Sequence, residues 1–219
     1  LLGAALPEAR RRALAERLAG YTGLPAALWL RHDLRLDLAR FCRELRRDEG
    51  RVVGRLDARF SGILAHPDDD PAAHDPSLHY PFGPHTALIN DYLRRELGYE
   101  EERKYEVISF DVFERWRWRS DEDDGKPSGH LNVATDLRRA MVRNPHLAVF
   151  VGNGLYDLAT PYFASVHTAR HLGREPEIRR LVHEAFYEAG HMMYLHPPSR
   201  RRLREDLLAF YAVAAPGER

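Results

Sequence analysis

Along the first hundred residues, apolar positions recur mostly at helical spacing. Pro7 suits a first helical turn, and Ala13, Leu14 and Leu18 continue the pattern until Gly20 and Gly23 break it, predicting a helix over about 7–19. Leu34, Leu38, Phe41 and Leu45 recur at spacings of four, three and four, with arginines and acids between them and Gly50 behind. This marks a second, amphipathic helix. Cys42 lies beside that stripe and reads as a small buried hydrophobe rather than a nucleophile, since no electropositive niche surrounds it. From His66 to Gly83, prolines, aspartates and glycine predict an irregular loop. The run Asp68, Asp69, Asp70 lacks EF-hand spacing and a terminal glutamate, so it reads as a solvated turn. A third helix is expected from about Pro84 to Leu97, with Leu88, Ile89, Tyr92, Leu93 and Leu97 on one face and Gly98 as its stop. Residues 105–113 read as a strand or extended segment. Trp116, Arg117, Trp118 and Arg119 read as a half-buried packing cluster rather than a base-stacking surface.

Acids, lysine, proline and glycine from Ser120 to Gly129 mark a break, and the texture then changes. Val133, Leu137, Ala140 and Met141 make a helix stopped by Asn144 and Pro145. Leu147 to Gly152 is a near-continuous apolar run, as expected of a strand buried on both faces of a parallel sheet. Thr160 and Pro161 start another helix that Gly173 stops. Leu181, Val182, Phe186 and Tyr187 suit a second strand over 180–187, and Leu203, Leu207 and Phe210 a closing helix. Alternating helices and strands predict an α/β fold. The expected layout is a mainly helical cap over 1–129 and an α/β core portion over 130–219.

The charge balance is even, with 33 lysines plus arginines against 33 aspartates plus glutamates in 219 residues, so no global field draws the chain to nucleic acid or an anionic membrane. Hydrophobic residues make up 44% of the chain, enough for a sizeable core, and no apolar run approaches the roughly 20 residues a bilayer span needs. One cysteine forms no internal disulfide, which leans toward a cytoplasmic setting. The chain opens on Leu1, as expected of an internal fragment, a processed chain or one with missing residues.

In an open parallel sheet, functional residues gather beyond the carboxyl ends of the strands. Asp157 follows the first strand through Gly152-Asn-Gly154, and His191 follows the second through Glu188-Ala-Gly190. A loop carboxylate can hold an imidazole by its Nδ1 hydrogen bond and leave Nε2 as a general base. On order and spacing alone, a satisfied loop aspartate and an unrelated histidine are the better fit. His167 and His171 stand four apart on a predicted helix, a metal-ligand spacing, but without the glutamate of an HExxH motif they read as exposed helix residues, and no metal or other cofactor is expected.

The segments Val149-Phe-Val-Gly-Asn-Gly-Leu-Tyr-Asp-Leu-Ala-Thr-Pro161 and Tyr187-Glu-Ala-Gly-His-Met-Met-Tyr194 resemble the aspartate and histidine motifs of the serine carboxypeptidases, the cathepsin A and carboxypeptidase Y-like family of α/β-hydrolases. Val53-Gly-Arg-Leu-Asp57 and Tyr80-Pro-Phe-Gly83 resemble, less specifically, the cap region of its bacterial members. The resemblance implies that Asp157 orients the imidazole, that His191 shuttles the proton, that Met192 lines the pocket for the leaving C-terminal residue, and that the substrate is a peptide. It also implies a nucleophilic serine on a Gly-x-Ser-x-Gly elbow. None of Ser61, Ser77, Ser109, Ser120, Ser128, Ser165 and Ser199 stands on such an elbow. The chain is therefore expected to act with a serine-bearing N-terminal half or second polypeptide, whose strands would also cover the open edge of strand 147–152. Two alternatives keep the fold: a catalytically dead binding module and a carboxypeptidase-like acyltransferase. Self-association into a homo-oligomer stays open.

Overall fold

The computed structural model describes residues 5–64, 66, 75–103, 105–116 and 132–214. It contains both helices and strands, as expected of a mixed α/β chain, with two separate two-stranded sheets. Contacts divide the chain into two compact units, each discontinuous in sequence. One comprises Leu1–Tyr80, Gly154–Pro161 and Glu188–His196; the other Pro81–Asn153, Tyr162–Tyr187 and Pro197–Arg219. The expected boundary between 129 and 130 lies outside the described residues, as do Asp68 to Asp70 and Arg117 to Arg119.

In the first unit, α1 (Glu8–Thr22) packs on α2 (Ala26–Arg31). Gly23 ends α1 in the left-handed conformation (φ 76°), with its N–H bonded back to Ala19. Ala15, Leu24, Leu28 and Trp29 form the buried centre of this pair. The amphipathic helix expected over 34–45 is shorter than its apolar pattern. Asp33 and Leu34 both have positive φ, and α3 (Leu38–Glu44) begins only after Asp37, whose carboxylate accepts the Arg40 N–H at 2.9 Å. Leu34 packs against the α1–α2 core from this turn rather than from a helix face. The sequence pattern gave no warning of the hairpin that follows, in which β1 (Arg51–Val53) pairs antiparallel with β2 (Ser61–Ile63), Val52 facing Gly62. Val52 and Val53 join Cys42 in a second core, against which Leu38, Leu45, Leu64 and Leu158 pack.

The loop expected through Gly83 in fact ends at Asp75, because α4 spans Pro76–Asp91. Asp75 is the cap: its Oδ1 accepts the Ser77 N–H (2.9 Å), and Pro76 takes the first helical position, where no N–H is needed. Asp-Pro reads as a turn in one dimension and as a helix start in three.

In the second unit, α4 continues through Pro81 and Pro84 and passes into a π-turn at Tyr92–Glu96. The segment 105–113 forms no strand. Its second half instead enters the short helix α5 (Phe110–Arg115), with the Ser109 hydroxyl accepting the Val112 N–H. The helix α6 (Ala134–Arg143) precedes β3 (Val149–Gly154); α7 (Tyr162–His171) and α8 (Pro176–Arg179) lie in sequence between β3 and β4 (Val182–Tyr187). The Val149 N–H donates to the Leu181 carbonyl, and the Asn153 side chain reaches the Ala185 carbonyl. The sequence offset is the same at both ends, so β3 and β4 run in the same direction. Met141, Leu172 and Ile178 are the buried core of this unit, and Leu137, Leu147, Val149, Leu181 and Val182 pack around them. The closing helix α9 (Pro197–Ala214) lies on β4, with Phe210 against Phe150 and His183, and with Asp206 accepting the Tyr187 hydroxyl at 2.8 Å. Among the described residues, no helix is long and apolar enough to cross a membrane.

Met141 is 1% exposed. Met141→Ala is expected to lower stability by about 2–5 kcal/mol, read as a shift in the urea midpoint with unchanged slope, because it empties a packed site that the surrounding chain only partly refills.

Candidate active site

Asp157 sits in the turn that follows β3, and its side chain organises that turn. Its Oδ1 accepts the N–H groups of Ala159 (2.8 Å) and Thr160 (2.9 Å), and its Oδ2 accepts the Thr160 hydroxyl (2.5 Å). The same Oδ2 stands 2.8 Å from His191 Nδ1. A short-range reason for the turn is thus written into Asp-x-Ala-Thr: an aspartate that accepts the N–H groups two and three residues on holds its own carboxylate still. The Asp157 side chain is 5% exposed and that of His191 47%, so the carboxylate is enclosed while the ring reaches solvent. With Nδ1 turned to Asp157, Nε2 is the nitrogen presented for chemistry.

Segments far apart in sequence hold the two side chains in register. Tyr156 donates its N–H to the Ala189 carbonyl, Ala58 to Tyr156, Leu158 to Arg55, and His191 to Leu56, at 2.7–3.1 Å. The segment 55–58 therefore runs against both the Asp157 turn and the His191 turn. The fit is close enough to require glycine: a Cβ on Gly154 would lie 2.3 Å from the Gly190 carbonyl oxygen, and one on Gly190 would lie 2.3 Å from that of Leu56. Gly152-Asn-Gly154 and Ala-Gly190 look like ordinary turn residues in the sequence; their role is close approach.

Met192 lines a pocket of about 320 Å³ together with Asp57, Arg59, Phe60, Ser77, Leu195 and His196. Ser77 offers this pocket no nucleophile. Its buried hydroxyl donates to Asp75 Oδ1 (2.5 Å) and accepts the Leu56 N–H (3.0 Å), so both of its functions are structural. His167 and His171 stack at 4.0 Å, with His171 Nδ1 2.6 Å from the His167 carbonyl oxygen. Among the described residues, no three His, Cys, Asp or Glu side chains converge to hold a metal ion. The buried Cys42 thiol is pushed up to about 11, by burial first and by the charge of Asp75 second.

Three residues had no place in the sequence-based site. Thr160, read there only as a helix start, bonds Asp157 and lies 3.2 Å from His191 Nδ1. Asp57 and Arg59 form a charged pair at 2.7 Å, with Asp57 7% exposed. Burial alone would raise the Asp57 carboxyl, but the hydrogen bonds and charge of Arg59 and the Gly190 N–H outweigh it and hold the group below the usual carboxylate range. Only their two-residue spacing was visible in the sequence. Comparisons with protein-family models, curated proteins and solved structures return no match for this chain.

A group depressed in the fold contributes stability above its unfolded value, near 4, and loses it as pH falls through the folded value. The stability of the wild-type protein should accordingly exceed that of Asp57→Asn at neutral pH, and the gap should close below about pH 4 in acid-titrated urea melts. Cys42 should resist alkylation in the native state at pH 8, where a thiol at about 11 is roughly one part in a thousand thiolate, and react once urea unfolds the chain.

Proposed function

We propose that Asp157 and His191 are the acid and the histidine of a Ser-Asp-His triad whose serine lies on a part of the enzyme outside this chain, and that the reaction is serine-type carboxypeptidase hydrolysis. The carrying observation is the 2.8 Å contact of a half-exposed imidazole, through Nδ1, with a buried carboxylate that backbone N–H groups already hold in place. An incidental loop aspartate would satisfy itself on the turn and leave the histidine elsewhere. In this reading β3 and β4 are neighbouring strands of an α/β-hydrolase sheet. Their shared direction supports it, as does the marginal stability of any two-stranded sheet left to itself.

The chemistry follows from the geometry. Asp157 fixes the tautomer with the proton on Nδ1, so Nε2 accepts the proton of the serine hydroxyl as that oxygen attacks the scissile carbonyl. The resulting imidazolium is stabilised by the adjacent carboxylate and returns its proton to the leaving amine. Water then repeats the sequence on the acyl-enzyme. Met192, directly after the base, gives the leaving residue an apolar wall in the 320 Å³ pocket.

Intact-mass analysis of the native protein, with fluorophosphonate labelling, tests the reading. A polypeptide segment bearing a Gly-x-Ser-x-Gly elbow should accompany residues 1–219 and take the label. In that complex Asp157→Asn should lower kcat by about 10⁴-fold and His191→Ala by on the order of 10⁶-fold, with substrate affinity little changed. A folded, monodisperse chain that exists alone and takes no label overturns the proposal.

A further inference from the structure

Asp57 and Arg59 make more contacts with the two catalytic turns than an ion pair placed only for stability requires. Asp57 Oδ1 accepts the Arg59 N–H and Nε–H, both at 3.0 Å, and Oδ2 accepts Arg59 Nη2 (2.7 Å) and the Gly190 N–H (3.0 Å). Arg59 Nη1 donates to the Glu188 carbonyl at 2.6 Å, and the guanidinium lies over the Tyr156 ring, 5.0 Å from its centroid. The carboxylate thus takes a donor, and the guanidinium an acceptor, from the same short turn, two residues apart and immediately before His191. One residue earlier, the Leu56 carbonyl accepts the His191 N–H at 2.7 Å.

This pattern has a physical reading. Taking a carboxylate and a guanidinium out of water is expensive, and an apolar pair of similar volume generally stabilises a fold as well or better. An apolar pair, however, could satisfy neither the Gly190 N–H nor the Glu188 carbonyl, whereas here the carboxylate takes the first and the guanidinium the second. We infer that Asp57 and Arg59 are positioning residues, which hold the backbone at 188–191 so that the His191 ring meets Asp157 at hydrogen-bonding distance. With that backbone fixed, only the two side-chain torsions of His191 remain, and Asp157 Oδ2 selects among them. A displacement of about 1 Å at a proton-transferring group is worth on the order of 100-fold in rate. The inference rests on the reading of His191 as the proton carrier, but the position of the ring can be observed without turnover.

The test is histidine NMR on the full chain. The His191 signals are assigned by their loss in His191→Ala, and the readout is the downfield Nδ1 proton. The groups facing the imidazole are Asp157 and the Thr160 hydroxyl, while Tyr156 and Glu188 neighbour the Arg59 guanidinium. Losing alignment with Asp157 breaks the hydrogen bond that shelters the Nδ1 proton from exchange with water. Asp57→Asn should therefore broaden the Nδ1 proton and shift it upfield. Arg59→Lys, which keeps the charge but loses the fork, should change it in the same direction by less. Leu28→Ala is the control: it opens the buried α1–α2 core of the same unit, whose packing partners do not include segment 55–58, and should lower stability without changing the His191 Nδ1 proton. Asp57→Asn or Arg59→Lys with an unchanged Nδ1 proton, or Leu28→Ala changing it equally, would sink the inference. A wild-type protein with an intact Nδ1 resonance but no labelled serine refutes the carboxypeptidase reading instead and leaves the positioning result standing.

Discussion

A carboxylate taken out of water must find donors for both oxygens, and the geometry of this site follows from how Asp157 finds them. Three of its four partners come from its own turn, Ala159 and Thr160, and only the fourth is His191. The local bonds orient the carboxylate without help from the histidine, so the imidazole meets an oxygen whose direction they set. This is preorganisation in its simplest form, a charge held by short-range backbone bonds and offered to one long-range partner.

Holding the long-range partner is a separate problem, and backbone hydrogen bonds solve it. The segment 55–58 lies against both the Asp157 and the His191 turns, and the turns bond each other through Tyr156 and Ala189. Such close packing leaves no volume for side chains at Gly154 and Gly190. The cost of joining segments more than 100 residues apart in sequence is chain entropy, which a dense set of bonds at 2.7–3.1 Å offsets within one small region.

Buried carboxylates elsewhere in this unit also hold its backbone. Asp75 caps α4 and bonds Ser77, Ser77 bonds Leu56, and Asp57 with Arg59 grips the turn before His191. Buried polar side chains thus satisfy backbone groups that irregular segments leave unpaired, which is why a site built on turns rather than strands is rich in aspartate. Cys42, enclosed by Val52 and Val53, contributes volume to the core, and burial holds its thiol protonated.

Much of the local order was legible in the sequence. The helix after Pro7, the helix over Val133 to Met141, the apolar strands near 149 and 182 and the closing helix all follow periodicity and caps, because these depend on neighbours three or four residues away. The Asp157 and His191 motifs were legible as turns after strands. Patterns misled where one residue has two local meanings. Asp75-Pro76 signals a turn or a helix start, Leu34 fits an apolar stripe that a left-handed turn interrupts, and Ser109 caps a helix inside a run that reads as extended. The pairing of Asp157 with His191 and the pocket beside Met192 were expected from the sequence only through a family resemblance, and the grip of Asp57 and Arg59 on Glu188 and Gly190 belongs to the tertiary structure alone. They join positions up to 133 residues apart, and periodicity carries no information about which distant turns will share a hydrogen bond. That is decided when burial forces each unpaired backbone group to find a partner.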